Sequence, residues 1–389
     1  MKNTLTDVMM RLIRFEIDGA PLPSAWREVL TEPVIEQLYL LSARHDLAHL
    51  VGAALDANDL LPDAPIREKF REKTYLSVAR YRNMQTECER LFSVLEAAKI
   101  PFLPLKGTVL RSEYPEPWMR TSCDIDILVH PEDLSRASDA IHTSLGYAVG
   151  ESCGHHLCLR GPGNLLLELH FRLIENENEN DRYTAPLVHI WEHARPEAGG
   201  MRFVLDDAMF YYFHLAHMAK HFSKSGGCGV RSFLDLLILD RRPAADRRGR
   251  EELVREGGLS AFAAGASRLA AVWFDDAEAD ETVCEMQEYV IHGGIYGTLS
   301  NVVSARRARR GGKLRYLLSR LFPSSAEMRP QYPILARHGW LLPIKWVQRG
   351  FRLLSPESRR RARSEWALNR STDAEHSEKV GAMMRALGL

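Results

Sequence analysis

The sequence predicts an α+β protein: a small group of strands and helices flanked by an N-terminal and a C-terminal helical region. Three observations carry this. Apolar residues recur at helical spacing across residues 7–56 and again from 206 onward. Between those regions, short stretches around 124–129 and 164–171 alternate with a period of two, as strands do. Proline and glycine mark the boundaries, giving the order helix, strand, helix, strand, helix and then hairpin strands, a pattern that permits a mixed core.

Each element has its own signal. Val34, Leu38, Leu41, the pair Leu47 and Ala48, and Val51 follow a helical period, and Pro21-Leu22-Pro23 sets off an earlier helix. His45 and His49 stand four apart, a spacing that suits a metal, but Asp46 is rotated off their face and no Cys is near. Packing histidines are the plainer reading. Residues 74–99 form a long helix with Leu76, Met84, Leu91 and Leu95 on its apolar face, ended by Ile100-Pro101 and feeding a strand at 102–105. A helix starts at or just after Gly107. Pro131-Glu132-Asp133 opens another, with proline in the first turn and acids at the positive end of the dipole, closing at Gly146. Strands are expected at 147–149, 155–160 and 164–171, the last two joined by the hairpin signal Gly161-Pro162-Gly163. The polar stretch 175–181 reads as a solvated loop. Asp206-Asp207 caps a helix through Phe210, Phe213, Leu215 and Met218, and a second helix carries Phe233, Leu236, Leu237 and Leu239.

At 389 residues the chain exceeds what one core holds, and three regions are expected: 1–73 helical, 74–200 the strand-bearing core, and 201–389 helical with a basic tail. A hydrophobic content of 45% with 26% charged residues is ordinary for a globular protein, and the net charge of zero gives no whole-chain sign of a nucleic-acid partner. Six cysteines without a Cys-x-x-Cys pair suggest a reducing, cytoplasmic setting. The first residues lack the apolar core of a signal peptide, and no run approaches the roughly 18 apolar residues of a membrane helix. Charge is unevenly spread, since residues 301–389 carry 19 Lys and Arg against 6 Asp and Glu. The runs Arg306-Arg307-x-Arg309-Arg310 and Arg359-Arg360-Arg361-x-Arg363 read first as a solvated helix face. The alternative is a nucleic acid or another anionic surface as partner.

The chemistry concentrates near 102–130. On an extended strand Asp124 and Asp126 share one face while Ile125, Ile127 and Val129 share the other. Two adjacent carboxylates on an apolar strand repel each other unless a cation lies between them, and a hard cation such as Mg²⁺ suits carboxylate oxygens while keeping positions for phosphate. In Leu165–Phe171 the leucines again take one face, and Glu168 and His170 take the other. If that strand lies beside the first, Glu168 completes three acids able to hold two metals about 3.5–4 Å apart, the separation used for displacement at phosphorus. Further along, His214, His217 and His221 lie on one helix face with Lys220 beside them, and Arg231 and Asp235 sit on the next helix. Some of His217, Lys220 and Arg231 are expected to face the cleft, and an Arg231–Asp235 pair is the structural alternative.

Leu105-Lys106-Gly107, Tyr114, Arg120, the run Asp124–Val129, Gly146-Tyr147 and Glu168-Leu169-His170 together resemble the bacterial uncharacterised nucleotidyltransferase family of the polymerase-β-like superfamily. Pro323, Met328, Tyr332-Pro333, Leu341-Leu342-Pro343 and Trp346-Val347-x-Arg349 extend the resemblance loosely over residues 30–355. It implies a small mixed-sheet nucleotidyltransferase core. It also implies transfer of a nucleoside monophosphate, with ATP the expected donor, to a hydroxyl or phosphate of an unidentified acceptor (small molecule, peptide or protein), releasing pyrophosphate. Asp124, Asp126 and Glu168 are then the catalytic and metal-holding residues for two Mg²⁺ ions, with Mn²⁺ a substitute. Lys106 and the Gly107-Thr108 turn are the candidates for gripping the triphosphate, and Arg120 is expected to pair either with phosphate or with the acids, a structural pairing being the alternative. Gly107-Thr108 departs from the family's Gly-Ser or Gly-Gly turn, but Thr108 keeps a hydroxyl and the amides of the following helix suit an anion. Asp126→Ala is expected to abolish transfer and leave the fold intact. Two other readings use the same residues: a nucleotide-binding sensor or antitoxin-like module without transfer, and a metal-dependent phosphohydrolase.

Overall fold

The structure is a computed structural model that describes residues 4–152, 154–173, 182–295, 297–310, 313–329, 331–352 and 374–389. The stretch at 175–181 and the basic run at 359–363 lie outside the described residues.

Four helices open the chain: α1 (Leu5–Asp18), α2 (Trp26–Val29), α3 (Glu32–Arg44) and α4 (Ala48–Ala57). Thr4 and Asp7 form a capping box on α1, and Gly19 ends it in the left-handed conformation. The long helix α5 spans Pro65–Ala97, beginning well before Thr74. Proline sits in its first turn, and Ile66 and Phe70, one turn apart, are both buried, so the extra turns are anchored by packing.

The central sheet follows: β1 (Phe102–Pro104), then helix α6 (Gly107–Leu110), β2 (Asp124–Val129), helix α7 (Leu134–Leu145), β3 (Ala148–Ser152), β4 (His156–Arg160) and β5 (Leu166–His170). Strand order is β1-β2-β5-β4-β3, with β2 and β5 parallel and the other pairings antiparallel, so the fold is α+β with a five-stranded mixed sheet. A second sheet of two strands, β6 (Ala194–Pro196) and β7 (Phe203–Leu205), leans on β1 through the amide of Phe102, which donates to the Met201 carbonyl at 2.9 Å. Three residues per strand are too few to show a period, which is why the sequence pattern does not announce this hairpin.

The two faces of the sheet differ in chemistry. Ile125, Ile127, Val129, Leu167 and Leu169 pack on Leu91 and Leu95 of α5 and on Ala137 and Ile141 of α7. That core fixes the register, because a slip of one residue would drive the acids into it.

Opposite the other face stand α8 (Asp207–Lys224) and α9 (Val230–Asp240), followed by α10 (Arg247–Glu256), α11 (Ser260–Phe274) and α12 (Glu281–Gly293). These helices share one continuous hydrophobic core with α1, α3 and α4 and with the C-terminal helix Ala374–Ala386, running from Val8 to Leu387. Arg241, hydrogen-bonded to Asp18 and Asp275 at 2.6 Å each, ties the first helix to the end of α11. The remaining helices are α13 (Leu299–Arg310), α14 (Lys313–Leu321), α15 (Ser325–Met328) and α16 (Leu342–Arg352). Met328, Tyr332 and Leu335 form a satellite core with Leu341, Leu342 and Trp346 packed against it, and the Trp346 indole donates to the Pro323 carbonyl at 2.8 Å. Arg307 is buried while Arg306 is exposed, so this basic run is not a uniformly solvated face. Among the described residues, no helix is long and apolar enough to cross a membrane.

Candidate active site

The parallel pairing of β2 with β5 sets Asp126 opposite Glu168 and Leu128 opposite His170. Both polar side chains of β5 therefore stand next to the carboxylate of Asp126. Adjacent strands lie about 4.8 Å apart, so side chains from this register must meet. His170 Nε2 donates to Asp126 Oδ1 at 2.9 Å and lies 3.4 Å from Glu168 Oε2. Ligand atoms of Asp126, Glu168 and His170 all fall within 4.8 Å of one another, a spacing that can hold a metal ion. Asp124 lines the same cavity, one pleat earlier and opposite Leu166, but lies outside this tight group. The closest cluster is thus two acids and a histidine, with the third acid alongside.

Charge balance at these groups follows from their neighbours. Burial works against ionisation of Asp126, yet the Lys106 ammonium and His170 overcome it and hold the carboxyl well below its usual range. The His170 hydrogen bond also lowers Glu168, against burial and the Asp126 charge. Asp124 is pushed up, first by burial and then by Asp126, with Lys106 pulling the other way. Asp124 is therefore the acid of the three whose burial and like-charge neighbours are not offset by its cations, so an added cation favours its ionised form.

Lys106 Nζ donates to Asp126 Oδ1 at 2.8 Å. Its backbone takes φ +46°, a strained conformation for a residue with a side chain, so the left-handed position of the turn belongs to Lys106 and not to Gly107. Gly107 is required for a different reason. A Cβ there would collide with the Arg120 guanidinium. Thr108 does not line the cavity, and the amides of Thr108, Val109 and Leu110 already donate to the carbonyls of Leu105 and Lys106. The amides of Thr108, Val109 and Leu110, in a helix of a single turn, are thus used internally and not presented to a phosphate.

Arg120 turns away from the acids. Its Nε and Nη2 reach the two oxygens of Asp235 on α9 at 3.3 and 3.0 Å, and Tyr114 Oη donates to the same carboxylate at 2.7 Å. The expected Arg231–Asp235 pair does not form. Arg231 instead donates through Nη1 to the Thr121 carbonyl at 2.8 Å, to Thr121 Oγ1 at 2.7 Å and to Asp46 Oδ2 at 3.2 Å. Asp46 sits in the left-handed turn between α3 and α4, so the N-terminal helices reach the cleft wall.

A cavity of about 400 Å³ separates the acids from α8 and α9. Lys106, Gly107, Arg120, Asp124, Asp126, Glu168, His217, Lys220 and Arg231 all line it, together with His155, His156, His170, His214 and His221. His217 and His221 share a hydrogen bond at 3.1 Å, and His214 Nε2 donates to the Ser232 carbonyl at 2.9 Å. Burial, reinforced by Lys106 and neighbouring histidines, holds His217 well below its usual value, and burial with Lys220 brings His221 to about 4. One wall is thus anionic, and the other combines neutral imidazoles with Lys220 and Arg231. His45 and His49 are packing residues, with Nε2 of each hydrogen-bonded to the carbonyl of Ile291 and of Met119 at 3.2 and 2.8 Å.

Sequence reasoning gave no ligand role to His170, His155 or His156. The first had a signal, since it alternates with Glu168 on the same strand face. The other two had none until the β4–β5 hairpin set His156 opposite His170.

The profile of a family described as "uncharacterised nucleotidyltransferase" matches residues 32–275. The match takes in the whole five-stranded sheet, the cleft lining apart from Ile295, and helices α8 and α9, and it ends before the satellite core that carries Met328, Tyr332 and Trp346. Neither the curated proteins nor the solved structures gave a match. With nearly two thirds of its length matched, the acids and histidines of its cleft included, the chain belongs to the uncharacterised nucleotidyltransferase family.

Proposed function

We propose that this protein moves a nucleoside monophosphate from a nucleoside triphosphate, with ATP the expected donor, to a hydroxyl or phosphate oxygen of an acceptor. The acceptor oxygen attacks the α-phosphorus, the bond from that phosphorus to the β-phosphate oxygen breaks, and pyrophosphate leaves with the electron pair. Family membership supports nucleotide transfer in general. The observation that carries the finer reading is the Asp126–Glu168 register, which brings two carboxylates and His170 together on the wall of a 400 Å³ cleft whose far side is cationic. Placement within the polymerase-β-like superfamily rests on the Asp-x-Asp strand and the third acid on its parallel neighbour.

The donor set fits a hard divalent cation. Carboxylate oxygens dominate it, and both protein contacts of Asp126 named above fall on Oδ1. Asp126, Glu168 and Asp124 would hold Mg²⁺, with Mn²⁺ a substitute, and His170 is placed to orient Asp126. Bound there, the ions would neutralise charge building on the phosphates and lower the pKa of an acceptor hydroxyl. Glu168, held ionised by His170, accepts the acceptor's proton. Lys220 and Arg231 carry positive charge on the opposite wall, where the phosphates of the donor lie.

The test is transfer of label from α-labelled ATP into acceptors of a lysate in the presence of Mg²⁺, with γ-labelled ATP as control. Asp124→Asn and Glu168→Gln are expected to cut transfer by about 100-fold or more. Asp126→Asn removes activity as well, but it also strands Lys106 and His170, so the intact fold expected of an Asp126 variant has to be checked by circular dichroism. Equal labelling by the Asp124 and Glu168 variants overturns the assignment. Phosphate release without label transfer would instead support the phosphohydrolase, and triphosphate binding with neither product would support the sensor.

A further inference from the structure

A second group of ligands lies beside the acids and has different chemistry. One ring nitrogen from each of His155, His156 and His170 falls within 4.8 Å of the other two. His155 and His170 are buried, at 8% and 4% exposure, and all three line the cleft. The fold brings them together through the hairpin: His156 pairs with His170 across β4 and β5, and His155 immediately precedes β4.

The distances suit a metal. His155 Nε2 and His156 Nδ1 are 3.1 Å apart and share a hydrogen bond, which an ion bound to both nitrogens would replace. Two nitrogens bound to one ion at about 2.0–2.1 Å, with an angle between octahedral and tetrahedral, stand roughly 3–3.4 Å apart. His170 has one ring nitrogen on a carboxylate and the other unpartnered, the state in which the second nitrogen of a histidine is left for an ion. Its Nε2 donates to Asp126 at 2.9 Å, and its Nδ1 is buried without a hydrogen-bond partner.

We propose that His155, His156 and His170 form a nitrogen-ligand site for a borderline divalent transition metal, Zn²⁺ foremost, separate from the carboxylate site for Mg²⁺. Imidazole ligands select zinc and its neighbours over magnesium, which prefers oxygen. Three histidines leave a fourth position for an oxygen ligand, as in sites that bind water or substrate. Because the site opens on the same cleft, that oxygen comes from solvent or from a phosphate or hydroxyl of the bound substrates. The two sites adjoin and share His170, which is a member of the histidine group and also stands in the tight cluster with Asp126 and Glu168.

Zinc binding tests this without reference to activity. The purified full chain is stripped with a chelator, exposed to Zn²⁺, freed of loose metal by gel filtration and analysed by mass spectrometry for zinc per chain. Wild type is expected to retain one zinc, and Co²⁺ in its place to give the visible absorption of a low-coordinate nitrogen site. Circular dichroism monitors folding. The double variant His155→Ala/His156→Ala is expected to lose the zinc. His156→Ala alone, at a partly exposed position that folding tolerates better, is expected to lose it as well. Glu168→Gln, which removes an acid of the tight cluster and none of the three histidines, should retain it, which separates this site from the acids: loss of nucleotide transfer with zinc kept would affect only the reading of the carboxylates. Zinc absent from the wild type, or retained by a folded His156→Ala, would falsify the site. Loss of zinc from Glu168→Gln with retention in the histidine variants would reassign the metal to the acids and also overturn it.

Discussion

At the scale of single residues, the cleft is organised by buried charges that are each held by more than one partner. Asp235 is the clearest case. It is 1% exposed, and burial alone would push its carboxyl up, but Arg120 brings it below the usual range with help from the Tyr114 hydrogen bond. Removing one member of a buried pair leaves the other charge unsolvated, at a cost of about 3–5 kcal/mol. Asp235→Ala is therefore expected to destabilise the fold by roughly that amount, read as a lowered midpoint of urea unfolding. A change under about 0.5 kcal/mol would show that Arg120 finds other partners and that the pair is not what secures this wall. The same reasoning explains why Arg120 is poorly placed to grip phosphate: its fork is already matched to a carboxylate.

At the scale of elements, the turn from β1 into α6 joins the sheet to the helical wall. Lys106 carries its strain, and Gly107 makes the space into which the Arg120 guanidinium fits. Adding a methyl group at Gly107 forces that guanidinium away from a partner that fixes it at both nitrogens. Gly107→Ala should accordingly cost about 1–3 kcal/mol, despite the better helix propensity of alanine. Thermal unfolding checks this, and a stabilised Gly107→Ala would mean that the helical preference outweighs the collision. The β4–β5 hairpin is the second such device. Its register converts residues fourteen apart in sequence, His156 and His170, into neighbours on one wall.

At the scale of the molecule, N-terminal and C-terminal helices share a core, and the groups buried between them make stability depend on pH. His45, fully buried beneath α12, donates to the Ile291 carbonyl, and burial lowers it from 6.5 to about 4. Between those values the unfolded chain binds a proton that the folded chain refuses, so stability rises with pH across this window. The contribution is complete above about pH 6.5 and is lost as pH falls towards 4, to a limit of about 3 kcal/mol. His45→Gln keeps a donor and removes the titration. Urea unfolding at pH 7.5 and 5.5 should show wild type losing roughly 1.4 kcal/mol more than this variant between the two. Identical losses would mean that His45 is not the group responsible.

How much of this was legible without coordinates depends on the range of the forces involved. Alternation along β2 and β5 is a local property of the extended backbone, so the placing of Asp124 and Asp126 on one face and of the isoleucines on the other could be read directly. So could the helical regions, the cap at Asp206 and the hairpin around Gly163, each set by neighbours a few residues away. What tertiary structure alone decided is which distant partner satisfies each charge. Asp235 takes Arg120, not Arg231; Arg231 takes Asp46 and Thr121; and His170, not Asp124, completes the tight cluster with Asp126 and Glu168. Such pairings follow from strand order and from the way two helical regions close over one sheet. The charge on a side chain says that it needs a partner, and only the packing of the whole chain determines which one comes within reach.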